Sequence, residues 1–354
     1  MKPRATSVLK GIALTLSLLG GPGANAAPDP ERERTLALAL GQQILAPAYS
    51  RFAERSQTLA HDLNRYCQAS GSDYPTVQAH YRAALHDWMY LQAINWGPAA
   101  VDNRHPALYF WPDKKDIASR QLRTLIADAD PASLDAGYFD TASIGVSGLS
   151  ALERLLFDDP PVAPHSYSCH LAAAIADNSA RMAQQIADDW PAFVEEWRLA
   201  QDPRAGIRLL LKSLDEIAQI VSQQKIAMPL GSGPERARAR RAESWRSGQS
   251  LANIRANLDF IEAILEGRDN RPGLLDLIAE QDSGLAEVLR AQLFATNRLF
   301  EHLDQPLESA VENRSARGKL VMLQANVDSL QALLAGDVSG ALGISLGFNS
   351  RDGD

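Results

Sequence analysis

Apolar residues recur three or four positions apart in three long segments of the second half of the chain. Residues at this spacing lie on one face of an α-helix, so each segment predicts a helix with one buried stripe. The stripes are Ile207, Leu210, Leu214, Ile217 and Val221, then Leu251, Ile254, Leu258, Ile261 and Leu265, then Leu320, Leu323, Val327, Leu330 and Leu334. With the segment Leu285 to Leu303 as a fourth helix, these stripes predict a four-helix bundle.

The first half of the chain is helical in pattern as well. We predict helices at residues 34–68, 76–95, 118–127 and 167–199, with Pro47 as a kink or a helix start. No alternating segment is paired with a hairpin turn, so we expect an all-α fold. The segment Gln201-Asp202-Pro203 separates two predicted domains, each an antiparallel helical bundle packed beside the other. The domains would span residues 27–200 and 201–354.

Residues 1–26 have the pattern of a secretory signal peptide. Three basic residues precede a short apolar run, Ile12 to Leu19, and Ala24-Asn25-Ala26 is a small-x-small cleavage site. The apolar run is far shorter than the roughly 20 residues that span a bilayer. No cysteine follows it, so a lipid anchor has no attachment point. The sequence predicts export to the periplasm or cell envelope without lipidation.

The mature chain would be strongly acidic. Removing residues 1–26 takes away three basic residues and no acidic one, which changes the formal net charge from −8 to −11. A surface of this sign does not attract nucleic acid or anionic lipid. The rest of the chain has no apolar run long enough to span a membrane. We expect neither a nucleic-acid partner nor a membrane span.

The chain contains two cysteines, Cys67 and Cys169. In an exported protein such a pair predicts one disulfide, which would close a loop of about a hundred residues. Two unpaired buried thiols are the alternative. The absence of C-x-x-C spacing argues against a metal site built on cysteine.

The segment from Gly145 to Phe157 contains a candidate functional carboxylate. Ser147 is suited to cap the helix that follows, since a serine hydroxyl accepts a free amide of the first turn. The apolar stripe of that helix is Leu149, Leu152 and Leu156. Ser150 and Glu153 are three residues apart and share a second, polar edge. Glu153 is therefore either a site residue or an ordinary acid near a helix start.

An irregular stretch, Asn95 to Asp113, combines three prolines with two tryptophans. Its composition predicts a long loop, and long loops inside compact domains are often functional. Trp96 and Trp111 either fill gaps between helices or contact a ligand.

Two short segments in the second half carry further candidates. The charged run from Glu235 to Arg241 is most simply the solvated start of a helix. Glu243, Ser244 and Arg246 follow in the segment ESWRSG. Because Glu243 and Arg246 are three apart, they could simply pair with each other.

Several catalytic motifs are missing. The chain has no H-E-x-x-H, no G-x-S-x-G and no phosphate-binding glycine loop. None of its seven histidines forms an i, i+4 pair with another. They are His61, His80, His86, His105, His165, His170 and His302. The Glu-x-x-His spacing of carboxylate di-iron bundles is absent too.

The segment GLSALERLLF resembles the signature of the imelysin-like family of bacterial envelope proteins, Gly-x-His-x-x-Glu followed by an apolar run. Gly148 and Glu153 match it, whereas Ser150 stands where the family has histidine. INWGP, FWPD, ESWRSG and the C-terminal GISLGFNSRDGD are also similar to family segments. The resemblance covers essentially the whole mature chain and indicates a branch that lacks the histidine.

This resemblance implies two helical bundles with the signature helix facing a groove between them. It also implies a part in iron regulation or uptake in the cell envelope. We expect a periplasmic binding or accessory protein for iron or another divalent or trivalent metal, without catalysis. The expected ligand-binding residues are Ser150, Glu153, Trp111, Asp113, Glu243, Ser244 and Arg246, with Glu153 as the candidate metal ligand.

Serine in place of the signature histidine at position 150 limits the kind of metal ligand that could bind. Without that imidazole, a bound ion would be oxygen-ligated or would arrive held by an organic chelator. The expected partners are therefore a metal ion or small chelate, and other iron-uptake proteins of the envelope. A metallopeptidase of the imelysin type and a scaffold that docks another envelope protein are the alternatives.

Overall fold

A computed structural model describes residues 29–346 apart from 70, 72 and 270. Over these residues the chain is α-helical and contains no β-strand, which confirms the predicted fold class. The helices are α1 Pro30–Leu40, α2 Ala46–Cys67, α3 Tyr74–Leu91, α4 Arg104–Leu108, α5 Ile117–Asp128, α6 Gly148–Phe157, α7 Tyr167–Leu199, α8 Ala205–Gln219, α9 Ala227–Leu230, α10 Ser250–Glu266, α11 Leu274–Gln281, α12 Ser283–Glu301, α13 Leu307–Ala310, α14 Arg314–Leu333 and α15 Ser339–Leu342. None of the described helices combines the length and apolar character that crossing a membrane requires.

The predicted signal peptide and most of the C-terminal motif GISLGFNSRDGD lie outside the described residues. Within them, the predicted loop at 95–113 is less irregular than its composition suggests. It contains short 3₁₀ turns and the short helix α4.

The first half of the chain packs around α2, α3, α6 and α7. Helix α2 lies along both α7 and α3, and α6 packs on α7. Helix α7 continues through Pro191 to Leu199, as predicted. Aromatic side chains fill this part of the core: Tyr49, Trp88 and Trp190 are fully buried.

The second half contains the four predicted amphipathic helices as α8, α10, α12 and α14. Helix α14 packs on both α8 and α12, and the additional helix α11 lies against α12. The stripe residues Leu214, Ile261 and Leu330 are fully inaccessible to solvent. Complete burial of such a side chain stabilises the fold by about 1.5–3 kcal/mol. These residues were predicted from the helical spacing, and the structure places them in the core.

The two halves share one continuous apolar core. Helix α10 packs on α3, and α1 packs on α8. The Phe260 ring meets the Tyr90 ring edge to face at 5.8 Å, and Asn257 Nδ2 donates to the Met89 carbonyl at 2.6 Å. The turn between α7 and α8 falls at the predicted boundary. Division into domains at residues 27–200 and 201–354 stays a prediction.

Pro47 lies next to the first residue of α2, which agrees with the predicted helix start. A π-helical turn, Gly41–Leu45, joins α1 to α2, and Pro47 lies in the first turn of α2. Proline has no amide hydrogen, so the carbonyl of Gln43 lacks its usual donor. Arg271 Nη1 donates to that carbonyl at 2.8 Å. A side chain from the second half thus satisfies a backbone group left open in the first.

The two cysteines form the predicted disulfide. Cys67 at the end of α2 bonds to Cys169 in the first turn of α7, and their Cα atoms are 5.5 Å apart. The sequence separation is 102 residues. In the loop-entropy picture a closure of this length restricts the unfolded chain and stabilises the native one.

Replacing both cysteines by serine should lower the free energy of unfolding by about 3–5 kcal/mol because the unfolded chain regains that freedom. Urea denaturation of Cys67→Ser/Cys169→Ser beside the oxidised wild type measures this. Reduced wild-type protein serves as the control and should resemble the double variant. Equal stability of all three would contradict a structural role for the disulfide.

Candidate functional site

Gly148 fixes the position where α6 begins. Its φ is +69°, and a Cβ atom there would lie 2.2 Å from the Ala107 carbonyl oxygen. Only glycine tolerates both the conformation and the contact, so α6 can approach α4 this closely. The predicted cap is wrong in detail. Ser147 is the N-cap residue, but its hydroxyl donates to the Ala107 carbonyl at 3.1 Å and accepts no helix amide.

Ser150 links α6 to the segment Asn95 to Asp113, here called the aromatic loop. Its side chain is buried, and its hydroxyl accepts a hydrogen bond from the Phe110 amide at 3.1 Å. The position that holds histidine in the resembling family is thus occupied here by a group that holds the backbone of the neighbouring loop.

Glu153 joins α6 to the second half of the chain. Its carboxylate is 4 % exposed, and Oε1 accepts both the Ser247 amide at 3.0 Å and the Ser247 hydroxyl at 2.8 Å. Neither bond uses Oε2, which leaves this oxygen for the cavity that Glu153 lines. Burial raises the pKa of Glu153 above its ordinary value, while the bonds from Ser247 and nearby arginines oppose part of the rise.

Asp113 organises the loop that follows the aromatic stretch. Its carboxylate accepts the amides of Ile117 at 2.8 Å and Ala118 at 2.9 Å, so it caps the start of α5. It also pairs with Arg154 on α6 at 3.2 Å. Asp113 lines the cavity, but these contacts occupy its charge.

The two loop tryptophans have different surroundings. Trp96 packs against Trp190, Phe193 and Trp197, and its indole nitrogen donates to Ser213 Oγ at 2.9 Å. It fills a gap between helices. Trp111 instead lines the cavity and is only half-buried. Of the two, Trp111 is the one placed to contact a ligand.

Glu243 lies beneath the cavity. Its carboxylate pairs with Lys225 at 2.6 Å, and both side chains are 1 % exposed. Lys225 also donates to Gln92 Oε1 at 2.7 Å, and Asn253 Nδ2 donates to Glu243 Oε2 at 3.0 Å. Burial lowers the pKa of Lys225, and the Glu243 charge opposes that change. The contacts of Glu243 are those of a residue that supports the site from below.

Ser244 and Arg246 follow Glu243 and do reach the cavity. Ser244 Oγ is 3.0 Å from the Tyr109 hydroxyl. The spacing allowed Arg246 to pair with Glu243, but in the structure it does not. It pairs with Asp158 at 2.8 Å and lies over the Trp245 ring at 4.5 Å from its centroid. Residues 243–248 form a turn rather than a helix, so residues three apart do not share a face.

These residues surround one cavity of about 860 Å³. Six of the seven expected site residues line it, all but the deeper Glu243: Trp111, Asp113, Ser150, Glu153, Ser244 and Arg246. The lining combines the aromatic loop, α6 and the segment 240–246. Residues far apart in sequence are thus brought together at one place.

The sequence analysis did not identify five basic residues of the cavity: Lys114, Lys115, Arg154, Arg240 and Arg241. The expectation that the run from Glu235 to Arg241 starts a helix is wrong, because the run folds into two 3₁₀ turns, Pro234–Arg236 and Ala239–Arg241. Its clustered arginines were the available signal. Without the turn geometry, their direction could not be inferred.

The geometry around Glu153 offers little for a bare metal ion. The described residues contain no group of three or more His, Cys, Asp or Glu side chains that could hold one. The charged groups that act on Glu153 are the cations Arg246 and Arg154. Its role as a metal ligand stays a prediction.

Comparison with known proteins identifies the family to which the chain belongs. Residues 45–334 match the sequence profile of the family described as Imelysin, Peptidase M75. The chain belongs to the imelysin family. Among curated proteins, none matches it significantly.

Two solved structures resemble this imelysin-family chain closely in fold. An imelysin-like protein from Psychrobacter arcticum 273-4 has a TM-score of 0.78 and 20% identity, and the match covers 91% of this chain and 100% of that one. A putative iron-regulated protein A precursor from Parabacteroides distasonis ATCC 8503 has a TM-score of 0.75 and 16% identity, over 90% and 97% of the two chains. At these identities the likeness concerns the fold alone.

Glu153→Gln should change how stability depends on pH. With a raised folded-state pKa, the native protein binds this proton more tightly than the unfolded chain. Stability from this group is therefore present at low pH and lost as pH rises through the folded pKa, by at most about 1.4 kcal/mol per pH unit. Glutamine keeps the acceptor for Ser247 but does not titrate.

The measurement is urea unfolding of wild type and Glu153→Gln from pH 4.5 to 8. The variant should gain stability relative to wild type as pH rises. Glu235→Gln, at an exposed carboxylate that does not line the cavity, is the matched control and should show no such trend. A constant offset between Glu153→Gln and wild type would rule out the raised pKa.

Lys225→Met should destabilise the protein by about 3–5 kcal/mol because the Glu243 carboxylate stays buried without its cation. The double variant Lys225→Met/Glu243→Gln removes both charges and should recover most of that loss. A double-mutant cycle in urea tests the coupling. Strictly additive losses would mean that the two side chains do not act as a pair.

Proposed function

We propose that this protein is a periplasmic binding or accessory protein of iron or other metal acquisition, and that it acts without catalysis. The observation that carries the proposal is the cavity at α6, where Glu153 presents one carboxylate oxygen among aromatic and basic side chains. In this proposal the metal is cargo, and the protein holds it as part of a small ligand.

The cavity has the properties of a ligand site. Its volume of about 860 Å³ is within the range of small-molecule pockets. Trp111 offers an apolar face, while Ser150, Ser244 and Glu153 offer polar atoms at fixed positions. The buried pair Lys225–Glu243 keeps the underlying backbone in place. A rigid floor of this kind lowers the entropy cost of binding.

The side chains in the cavity favour binding over hydrolysis. A peptidase of the zinc type needs imidazole ligands and a glutamate base near one ion. At the signature position the chain has Ser150, whose hydroxyl is occupied by the Phe110 amide. The cations Arg154 and Arg246 act on Glu153 and work against a second positive charge beside it.

Export and an iron context are supported by separate observations. Residues 1–26 have the pattern of a signal peptide, and the Cys67–Cys169 disulfide suits an oxidising compartment. One structural relative is a putative iron-regulated protein A precursor. We carry that iron context over to this chain as part of the proposal.

Deleting the gene in the host organism should reduce uptake of radioactive iron during iron limitation. Wild-type protein should restore uptake, while Trp111→Ala should not, since it removes an aromatic face of the cavity. Phe294→Ala is the matched control: this ring is 68% exposed on α12 and does not line the cavity. Immunoblots of the periplasmic fraction check that all forms accumulate equally.

Full restoration by Trp111→Ala, or normal uptake in the deletion strain, would refute the proposal. Purified mature protein is incubated in parallel with a peptide library and zinc. Cleavage that disappears in Glu153→Gln would instead favour the metallopeptidase alternative.

A further inference from the structure

We infer that the cavity binds its metal as an anionic chelate and not as a bare cation or a cationic complex. The inference rests on the proposed function and names its ligand class. The observation behind it is the sign of the charge around the cavity, which is opposite to that of the whole chain.

Basic side chains outnumber acidic ones in the cavity lining by six to three. The basic residues are Lys114, Lys115, Arg154, Arg240, Arg241 and Arg246, and the acidic ones are Asp113, Asp116 and Glu153. The complete chain, by contrast, has a net charge of −8. On an acidic protein, a local excess of positive charge attracts anions to that one place, since the rest of the surface repels them.

The excess persists once the ion pairs are set aside, with four unpaired cations against two unpaired acids among the described residues. Asp113 is neutralised by Arg154, and Arg246 is neutralised by Asp158, which lies outside the lining. In the described part of the chain, the other four cations have no carboxylate within ion-pair distance: Lys114, Lys115, Arg240 and Arg241. The unpaired acids of the lining are Asp116 and the buried Glu153. The available charge is therefore positive.

The cations come from both halves of the chain and are partly held in place. Lys114 and Lys115 follow the aromatic loop, and Arg240 and Arg241 end the second 3₁₀ turn of the basic run. Arg240 lies over the Trp245 ring at 5.4 Å, on which Arg246 also stacks. Such cation–π contacts orient a guanidinium toward the cavity at little entropic cost.

An anionic chelate with planar oxygen-donor groups fits these features. Its negative charge meets the four unpaired cations, and its planar rings meet the face of Trp111. Because the chelator supplies the oxygen ligands, the metal needs none from the protein. This agrees with the lack of a His, Cys, Asp and Glu cluster among the described residues.

The test uses purified mature protein and titration calorimetry, with tryptophan fluorescence as a second readout. The probes are a ferric tris-catecholate, which is anionic, its gallium counterpart, a ferric trihydroxamate with a protonated amine, which is cationic, and ferric and ferrous ions alone. The anionic complexes should bind at least about tenfold more tightly than the cationic complex, and affinity should fall as salt is raised.

Arg240→Glu/Arg241→Glu should weaken binding of the anionic complexes at least about tenfold, because it reverses two cavity charges. Arg236→Glu/Arg238→Glu is the matched control, since it reverses two exposed charges of the same run that do not line the cavity. This control should bind like wild type. Circular dichroism checks that both variants are folded.

Equal binding of the cationic complex, preferential binding of bare iron, or anionic binding that ignores the Arg240 and Arg241 reversals would each overturn the inference. Citrate and inorganic phosphate are included, and binding of either as tight as the ferric tris-catecholate would show a general anion site instead. If no anionic chelate binds while iron uptake still depends on Trp111, the ligand class is wrong and the proposed function stands. Normal uptake in the deletion strain would refute the function itself.

Discussion

The contact between Glu153 and Ser247 determines where the two halves of the chain meet at the cavity. A carboxylate that is 4 % exposed accepts an amide and a hydroxyl from a turn 94 residues further along the chain. Leaving either partner unsatisfied would cost the full desolvation of a buried polar group, so the two segments cannot drift apart. Lys225 and Glu243 add a second buried polar connection below. Apolar packing of α10 on α3 supplies the bulk of the interface, whereas these polar groups fix its register.

The fold was predictable because its information is local and repeated. The stripes of α8, α10 and α14 follow from spacing alone, and every stripe position tested by burial is inside or at the edge of the core. Short or irregular elements escaped prediction. Helix α4 and the π turn Gly41–Leu45 depend on tertiary partners, such as Arg271 at the Gln43 carbonyl, which no local pattern contains. Tertiary contacts override weak local preferences in such segments.

The candidate site was predictable in part, and for a different reason. The family resemblance selected Ser150, Glu153, Trp111 and Ser244, and the structure brings these residues to one cavity. It did not indicate that Arg246 turns toward Asp158, nor that Glu243 lies below the cavity with Lys225. Both depend on the turn at 243–248, where helical spacing does not apply. Lys114, Lys115, Arg240 and Arg241 could not be assigned, because a charged side chain on an irregular segment carries no periodicity that predicts its direction.

Replacement of the signature histidine by Ser150 and the positive lining are consistent with each other. An imidazole is the commonest side-chain ligand for transition metals, and it binds them in its neutral form. Serine at this position gives up that ligand and binds the Phe110 amide. Arg154 and Arg246 place two positive charges beside Glu153, which would repel a metal cation at the same oxygen and attract a ligand that is itself an anion. Serine at the signature position and the unpaired cations thus affect the same property of the cavity, the sign of the charge that it favours.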